Sequence, residues 1–252
     1  MTTTTKIVTR LYCPSRLTEG GWVEIDAAQV HRLRNVLRLA AGAAVAGFNP
    51  RDGEFLCRVV ELDRQRGRLA VEMRLRTGEP EADVWLLFAP VKRLRLDWLV
   101  EKGTELGVAA FIPVMTARTQ AERLNPERLA AHAVAAAEQS ERLSVPEIRP
   151  VAKLPALLAA WPAGRRLLVC DETGGGVPVA AALDAVPPGA AAAILIGPEG
   201  GFAQSELDAL CDLPFVTRIG LGPRVLRAET AALAALAVFQ AVAGDWRRAR
   251  AG

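Results

Sequence analysis

The sequence predicts an α/β protein in two parts, a small β-barrel followed by a parallel sheet covered by helices. Short strands with alternating apolar and polar residues, and one helix among them, fill the first 76 residues, as is typical of a small barrel. Farther along, near-continuous apolar strands alternate with helical segments, which indicates a parallel sheet buried on both faces. The predicted domains are 1–76 and 80–252, separated within the turn-rich, charged "RTGEPEAD".

The N-terminal elements each carry a local signal. "GWVEID" (Gly21–Asp26) and "GRLAVEMRL" (Gly67–Leu75) alternate as half-buried strands do. The turn Asn49–Gly53 separates two apolar runs and predicts a hairpin. A helix is expected after Asp26, which is a good N-cap residue.

The C-terminal elements read as strands and helices in turn. Asn125 and Pro126 predict the start of one helix, and Gly107 predicts the end of another. The predicted strands are "DVWLLFAP", "VAAFIPV", "RRLLVCDE", "AAAILIGPEGG" and "TRIGLG". The predicted helices are "RLDWLVEKGTELG", "NPERLAAHAVAAAEQSER", "SELDALCDL" and "AETAALAALAVFQAVAGDW".

Composition excludes several classes of protein. Of the 252 residues, 51% are hydrophobic and 23% charged, which fits a globular core. No apolar run approaches the roughly 20 residues of a membrane span, and "MTTTTKIVTR" lacks the apolar core of a signal peptide, so we expect a cytoplasmic protein. Four cysteines without a CxxC pair and only two histidines argue against a metal site, a disulfide framework and a Ser-His-Asp triad.

The charge is unevenly distributed. Residues 1–78 hold 13 Lys+Arg against 8 Asp+Glu, a net +5, whereas residues 79–252 hold 18 against 20, a net −2. This asymmetry fits either a polyanionic partner of the N-terminal part or a solvated, arginine-rich surface.

Two Gly-Pro turns are the candidate functional site. They lie in "ILIGPEGGFAQSE" (Ile194–Glu206) and "RIGLGPRVLRAETAALAAL" (Arg218–Leu236), each after a strand and before a helix. Ligands bind at the carboxyl ends of parallel strands, and we expect the two strands to be neighbours in the sheet. Pro198 removes a backbone donor, which disfavours a phosphate cradle and favours close packing against a flat, mostly neutral group. The alternative is a pair of plain strand-to-helix turns.

The second turn and an upstream helix add charged side chains. Arg224 and Arg227 beside Glu229 could orient a carboxylate, a phosphate or a polarised base, whereas Glu229 alone fits ordinary helix capping. In "KRLRLDWLVEKGTELG", Lys92, Lys102 and Glu105 stand out, but the spacing favours a surface helix with ion pairs.

The combination of motifs resembles the RsmE family, bacterial methyltransferases that act on uridine N3 of small-subunit (16S) ribosomal RNA. The two long C-terminal motifs "LIGPEGGF" and "LGPRVLRAETAAL" carry the resemblance most specifically. "EKGTELGV", "EQSERLSVPEI", "RLYCP" (Arg10–Pro14) and "HRLRNVLRL" support it, so that it covers nearly the whole chain.

The resemblance implies a fold and a cofactor. It implies a SPOUT-type α/β domain with a C-terminal trefoil knot, a PUA-like N-terminal barrel that binds RNA, a homodimer, S-adenosylmethionine as cofactor, and 16S rRNA or the 30S subunit as substrate. The cofactor residues carried over from the family are Leu195, Ile196, Gly197, Gly201, Ile219, Leu221, Gly222 and Leu226.

The charged residues beside the expected cofactor-binding turns are the candidate catalytic residues. We expect Arg227, with Arg10 from the barrel, to stabilise negative charge on the uracil carbonyls, and Glu229 either to hold Arg227 or to act as the base, the former being favoured. The expected RNA-binding residues are Arg10, Arg16, Arg32, Arg34, Arg38, Arg118 and Arg142.

One segment departs from the family pattern "EQSGRNRVPEI". Glu141, Leu143 and Ser144 replace its glycine, asparagine and second arginine. The departure predicts either the loss of one RNA- or cofactor-facing contact or its supply from elsewhere, with Arg118 as the candidate. Two alternative functions stay open, a SPOUT methyltransferase acting on another RNA such as tRNA, and a non-enzymatic RNA-binding assembly factor. A Rossmann-like nucleotide hydrolase is a distant third, because phosphate and metal signatures are missing.

Overall fold

A computed structural model describes residues 6–78, 80–90, 93–119 and 124–248. The described chain divides into two compact units. The N-terminal unit contains the described residues of 1–80 together with 137–145, and the C-terminal unit contains those of 81–136 and 146–252. No helix of the described ranges has both the length and the apolar composition needed to cross a membrane.

The N-terminal unit is built on one five-stranded sheet. Its strands are β1 (Arg10–Tyr12), β2 (Trp22–Ile25), β3 (Ala44–Asn49), β4 (Gly53–Leu62) and β5 (Gly67–Arg76). The sheet order is β1-β3-β4-β5-β2, with β1 parallel to β3 and the other pairs antiparallel. Since β1 and β2 stand at its two edges and do not pair with each other in the described chain, the sheet is a curled half-barrel, which confirms in part the small β-barrel that was predicted.

Local sequence signals explain the hairpin and the helix of this unit. The predicted turn joins β3 to β4, with Asn49 opposite Gly53. Helix α1 (Ala27–His31) begins after Asp26, whose side chain accepts a hydrogen bond from the backbone N–H of Gln29, and a π-helical segment (Arg32–Val36) follows. Both predictions are confirmed. Val30 and Leu33 of this helical segment lie in a core with residues of all five strands.

The C-terminal unit is built on an eight-stranded sheet in which every strand pair is parallel. Its strands are β6 (Val84–Phe88), β7 (Ala110–Met115), β8 (Glu147–Ile148), β9 (Ala152–Lys153), β10 (Arg166–Cys170), β11 (Val177–Pro178), β12 (Ala192–Ile196) and β13 (Val216–Gly220). The order is β11-β13-β10-β12-β6-β7-β8, and β9 also pairs with β7. The short strands β8, β9 and β11 were not predicted, because two-residue strands carry no periodicity.

Helices connect these strands. They are α2 (Arg93–Glu105), α3 (Pro126–Gln139), α4 (Leu154–Ala159), α5 (Val179–Asp184), α6 (Gln204–Cys211) and α7 (Ala228–Val242), and a 3-10 turn (Asp245–Arg247) follows α7. The Asn125 side chain accepts from the backbone N–H of Arg128, which confirms the predicted cap of α3. All five residues of β12 are buried, as expected for a central strand covered on both faces.

Candidate functional site

A cavity of about 590 Å³ opens at the carboxyl ends of three neighbouring strands of the C-terminal unit. Strand β10 lies between β12 and β13, so the expectation that the two Gly-Pro turns follow adjacent strands was wrong. The loop after β10 therefore lies between those turns in sheet order. The lining residues are Arg95, Cys170, Asp171, Glu172, Thr173, Gly174, Ile196, Gly197, Pro198, Glu199, Gly201, Ile219, Gly220, Leu221, Gly222, Pro223, Arg224, Val225, Leu226, Arg227, Ala228 and Ala231.

The structure brings together most of the residues expected to hold the cofactor. Seven of the eight line the cavity, namely Ile196, Gly197, Gly201, Ile219, Leu221, Gly222 and Leu226. Leu195 does not, because its side chain is completely buried in the core of the unit with Leu167 and Val169 of β10. Alternation along β12 explains the difference, since successive side chains point to opposite faces of a strand.

The first Gly-Pro turn is held by close packing. Its backbone bends at Gly201, which has a φ of 68° and donates its N–H to the Pro198 carbonyl over 2.9 Å. A Cβ at Gly201 would overlap the Glu172 carboxylate, whose Oε1 accepts the N–H of Phe202 at 3.2 Å. Glu172 thereby joins the loop after β10 to the turn after β12.

The loop after β10 is the part of the site that sequence reasoning missed. Asp171 accepts hydrogen bonds from the backbone N–H and the hydroxyl of Thr173, and it pairs with Arg218 of β13. Burial alone would raise the pKa of Asp171, but the Thr173 hydrogen bonds and the Arg218 guanidinium outweigh it and hold the pKa below its usual value of 3.8. The signal was present as "CDETGGG", a polar, glycine-rich run after an apolar strand.

The acidic residue of the second motif has a different partner from the one expected. Glu229 makes no ion pair or hydrogen bond with Arg227 in the described chain, and its Oε1 lies 3.6 Å from the Nε of Arg95 on α2. The Glu229 side chain is 12% exposed. The favoured hypothesis that Glu229 holds Arg227 therefore lacks the contact it requires.

Two arginines stand unpaired at the rim of the cavity. The side chains of Arg224 and Arg227 line it, are exposed, and have no hydrogen-bond or ion-pair partner among the described residues. Arg227 takes the N-cap position of α7. A guanidinium without a protein partner keeps its planar set of donors for a ligand.

Arg10 of the N-terminal unit is committed to protein partners. Its Nε donates to Glu54 Oε1 at 2.5 Å, and its two terminal nitrogens donate to the carbonyls of Ala137, Glu138 and Arg142. These bonds use four of the five N–H groups of a guanidinium, and the side chain is 11% exposed. These contacts hold Arg10 in the fold of the unit and give no support to the expectation that it faces the substrate.

The other expected RNA-binding arginines divide into two groups. Arg16, Arg34 and Arg38 are exposed and have no partner within the described residues. Arg32 pairs with the buried Glu138 and donates to Thr9 at 3.1 Å.

Of the remaining two arginines of that list, one contacts its own segment and the other contacts a loop distant in sequence. Arg142 donates to the Ser144 hydroxyl at 2.7 Å. In the C-terminal unit, Arg118 is exposed and donates to the carbonyl of Gly200, in the first Gly-Pro turn, at 2.9 Å.

The three residues that depart from the family pattern, Glu141, Leu143 and Ser144, belong to the N-terminal unit. Glu141 has a φ of 62°, in the left-handed region where the family has glycine. Leu143 is buried against Phe48 and Ala137.

On α2, Lys102 pairs with Glu101 at 2.7 Å and Glu105 at 2.8 Å, which confirms the ion-paired helix, and Lys92 lies outside the described residues.

Comparison with known proteins decides the family. The RNA methyltransferase domain family matches residues 78–240. The small subunit methyltransferase E of Rickettsia conorii is 31% identical, with 90% of this chain and 93% of the relative covered. The chain belongs to the ribosomal RNA small subunit methyltransferase E (RsmE) family.

Further relatives of this methyltransferase family agree. The family member of Bacillus subtilis is 30% identical, with 89% of this chain and 91% of the relative covered. A crystal structure of the Neisseria gonorrhoeae family member bound to S-adenosyl methionine superposes with a TM-score of 0.83, at 27% identity, over 94% of this chain and 99% of that one. The resemblance drawn from the motifs is confirmed.

Proposed function

We propose that this methyltransferase binds S-adenosylmethionine in the cavity at the ends of β10, β12 and β13 and methylates N3 of a uridine in 16S rRNA. The observation that carries the proposal is the composition of this one cavity. Apolar side chains of two Gly-Pro turns form its wall, and two arginines without protein partners stand at its rim. In the N. gonorrhoeae relative, the same fold binds the cofactor.

The residues of the cavity suit the cofactor. Its volume lies within the range of about 300–1,000 Å³ found for small-molecule sites. Ile196, Ile219 and Leu226 offer apolar surface for an adenine ring, and Glu172 offers a carboxylate for hydroxyl or ammonium groups. The cofactor, when bound, supplies an electrophilic methyl group on a sulfonium, so the chain itself needs to supply position and electrostatics.

The proposed chemistry assigns Arg227 to the substrate. Uridine N3 is an imide nitrogen that becomes nucleophilic when its proton is lost, and negative charge then spreads onto the two flanking carbonyl oxygens. A guanidinium beside those oxygens stabilises this charge more than it stabilises the neutral base. Arg227 suits this role because it lines the cavity without a protein partner among the described residues. Because four of its five N–H donors are already used, Arg10 is not carried into the reaction.

The proposal extends to fold and assembly. Residues 1–76 are proposed as a PUA-like RNA-binding domain, with Arg16, Arg34 and Arg38 toward the phosphates, and residues 80–252 as a SPOUT methyltransferase domain. A trefoil knot at the C-terminal motifs and a homodimer complete the proposal. It is supported by family membership and by the net charge of +5 in residues 1–78.

In vitro methylation tests the proposal. The chain is incubated with S-adenosylmethionine and with 30S subunits, free 16S rRNA or bulk tRNA, and the product is mapped to a nucleotide by mass spectrometry. We expect 3-methyluridine at one position of 16S rRNA. Methylation of tRNA alone would establish a different RNA substrate, and failure to bind the cofactor in calorimetry would support a non-enzymatic assembly factor.

A further inference from the structure

One guanidinium connects the first Gly-Pro turn to the helix that follows the second. Arg95 lies in the first helical turn of α2. Its Nη1 donates to the carboxylate of Glu199, which belongs to the first Gly-Pro turn. Its Nε lies 3.6 Å from Glu229 Oε1, in the first turn of α7 after the second Gly-Pro turn. Arg95 also lines the cavity. A single side chain thus reaches both motifs from a third element.

The two carboxylates differ in exposure. The Glu199 side chain is 56% exposed, so its pair with Arg95 is screened by water and contributes little to stability. Glu229 is mostly buried, and its Oε2 is fully buried with no hydrogen-bond partner within the described residues. Arg95 is the cation paired with this carboxylate, and without it Glu229 would be a buried, uncompensated charge.

We infer that Arg95 is a positioning residue that sets the separation of the two cofactor-binding turns and holds the start of α7, where Arg227 stands. The inference rests on the proposed function, because it assigns a role in the same cavity. It also explains why Arg227 has no partner among the described residues. Glu229, the nearest acidic residue in the chain, pairs with Arg95, which leaves the Arg227 guanidinium for substrate.

The expected consequence is a loss of preorganisation. Without Arg95 the two turns lose their shared partner. The cofactor then has to order them when it binds, which lowers its affinity. Lysine restores the charge but only part of the contacts, because an ammonium group lacks the planar fork that reaches two carboxylates at once. The effect should therefore fall mainly on cofactor affinity, whereas the rate at saturating cofactor should change less.

The test compares Arg95→Gln and Arg95→Lys with Arg149→Gln. Arg149 is a matched control, since its side chain is also 31% exposed and pairs with one glutamate, Glu147, but does not line the cavity. Calorimetry with S-adenosylmethionine should show affinity reduced by roughly tenfold in Arg95→Gln and less in Arg95→Lys, with Arg149→Gln close to the unmodified chain. Equal affinity in Arg95→Gln and Arg149→Gln would overturn the inference.

A double variant separates positioning from charge compensation. Arg95→Gln should lower the thermal midpoint, because it leaves the buried charge of Glu229 without its cation. Adding Glu229→Gln should restore the midpoint, because it removes that charge. Cofactor affinity should stay reduced in the double variant, because the connection between the turns is still missing. If affinity recovers together with the midpoint, Arg95 acts only through the charge of Glu229 and the inference is wrong. If the unmodified chain does not bind the cofactor, the proposed function fails instead.

Discussion

Three arginines of the N-terminal unit and two arginines at the cavity are used in opposite ways. In the N-terminal unit, Arg10 and Arg76 both pair with the buried Glu54, and Arg32 pairs with the buried Glu138. At the cavity of the C-terminal unit, Arg224 and Arg227 have no partner among the described residues. The same residue type thus holds a sheet to the segment 137–145 in one unit and stays available to a ligand in the other.

The comparison teaches that partners, rather than motifs, decide the role of an arginine. Arg10 and Arg227 both lie in motifs typical of the family, and both were expected to contact the substrate. Arg227 keeps all its donors for that purpose in the described chain, whereas Arg10 keeps one of five. A buried guanidinium with four hydrogen bonds would have to break them before it could bind uracil, and each bond to a charged group contributes about 1.5–3 kcal/mol.

The largest expected effect tests the structural arginine. Arg10→Ala should lower the free energy of unfolding by about 3–5 kcal/mol, because it removes one partner of a buried ion pair. Urea denaturation of Arg10→Ala and of the exposed Arg16→Ala measures the difference, and the control should stay within about 0.5 kcal/mol of the unmodified chain. Unchanged stability in Arg10→Ala, together with lost methyl transfer, would mean that Arg10 acts on the substrate and that its ion pair does not stabilise the fold.

The second effect tests the unpaired arginine. Arg227→Ala should slow single-turnover methyl transfer by roughly 100-fold, about 2.7 kcal/mol, because the charge on the uracil carbonyls loses its donor. Cofactor affinity and the thermal midpoint should change little, since the exposed side chain has no protein partner in the described chain. Transfer at the normal rate would rule out the assigned role. Arg224→Ala, assayed in parallel, shows whether the two rim arginines share it.

A third, smaller effect separates two neighbours on one helical segment. Arg34→Gln should reduce the slope of log affinity for RNA against log salt by roughly 0.7–0.9, the value for one lost phosphate contact. Arg32→Gln should leave the slope unchanged and lower stability, because Arg32 pairs with Glu138. Filter binding between low and moderate salt measures both variants. An equal reduction of the slope in the two variants would show that the ion pair does not keep Arg32 from RNA.

The smallest expected effect concerns the stability cost of Glu141, which stands where the family pattern has glycine. Glu141→Gly should raise the free energy of unfolding by roughly 0.5–1 kcal/mol, since glycine adopts the left-handed φ of 62° without steric cost. Glu127→Gly, in the first turn of α3, should instead be destabilising by up to about 1 kcal/mol. Urea midpoints give both values. A destabilised Glu141→Gly would mean that the Glu141 side chain contributes more than its backbone costs.

Prediction from sequence succeeded where the signal is local. Alternation, caps and turns placed the longer strands and helices, and the two Gly-Pro motifs indicated seven of the cavity residues. It failed where the signal depends on distant residues. Nothing in the chain near Ile194 shows that β10 will lie between β12 and β13, so the "CDETGGG" loop was passed over.

The alternating strands and helices, the family and two of the three loops that form the cavity follow from the sequence alone. These follow from hydrophobic period, turn chemistry and motif, all of which act over a few residues. Only the tertiary structure decided that β10 completes the cavity, that Glu229 pairs with Arg95, and that Arg10 is buried in an ion pair. Strand order and side-chain pairing join residues from 26 (Arg166 and Ala192) to 134 (Arg95 and Glu229) positions apart, and a one-dimensional pattern does not encode which of many arginines meets which carboxylate.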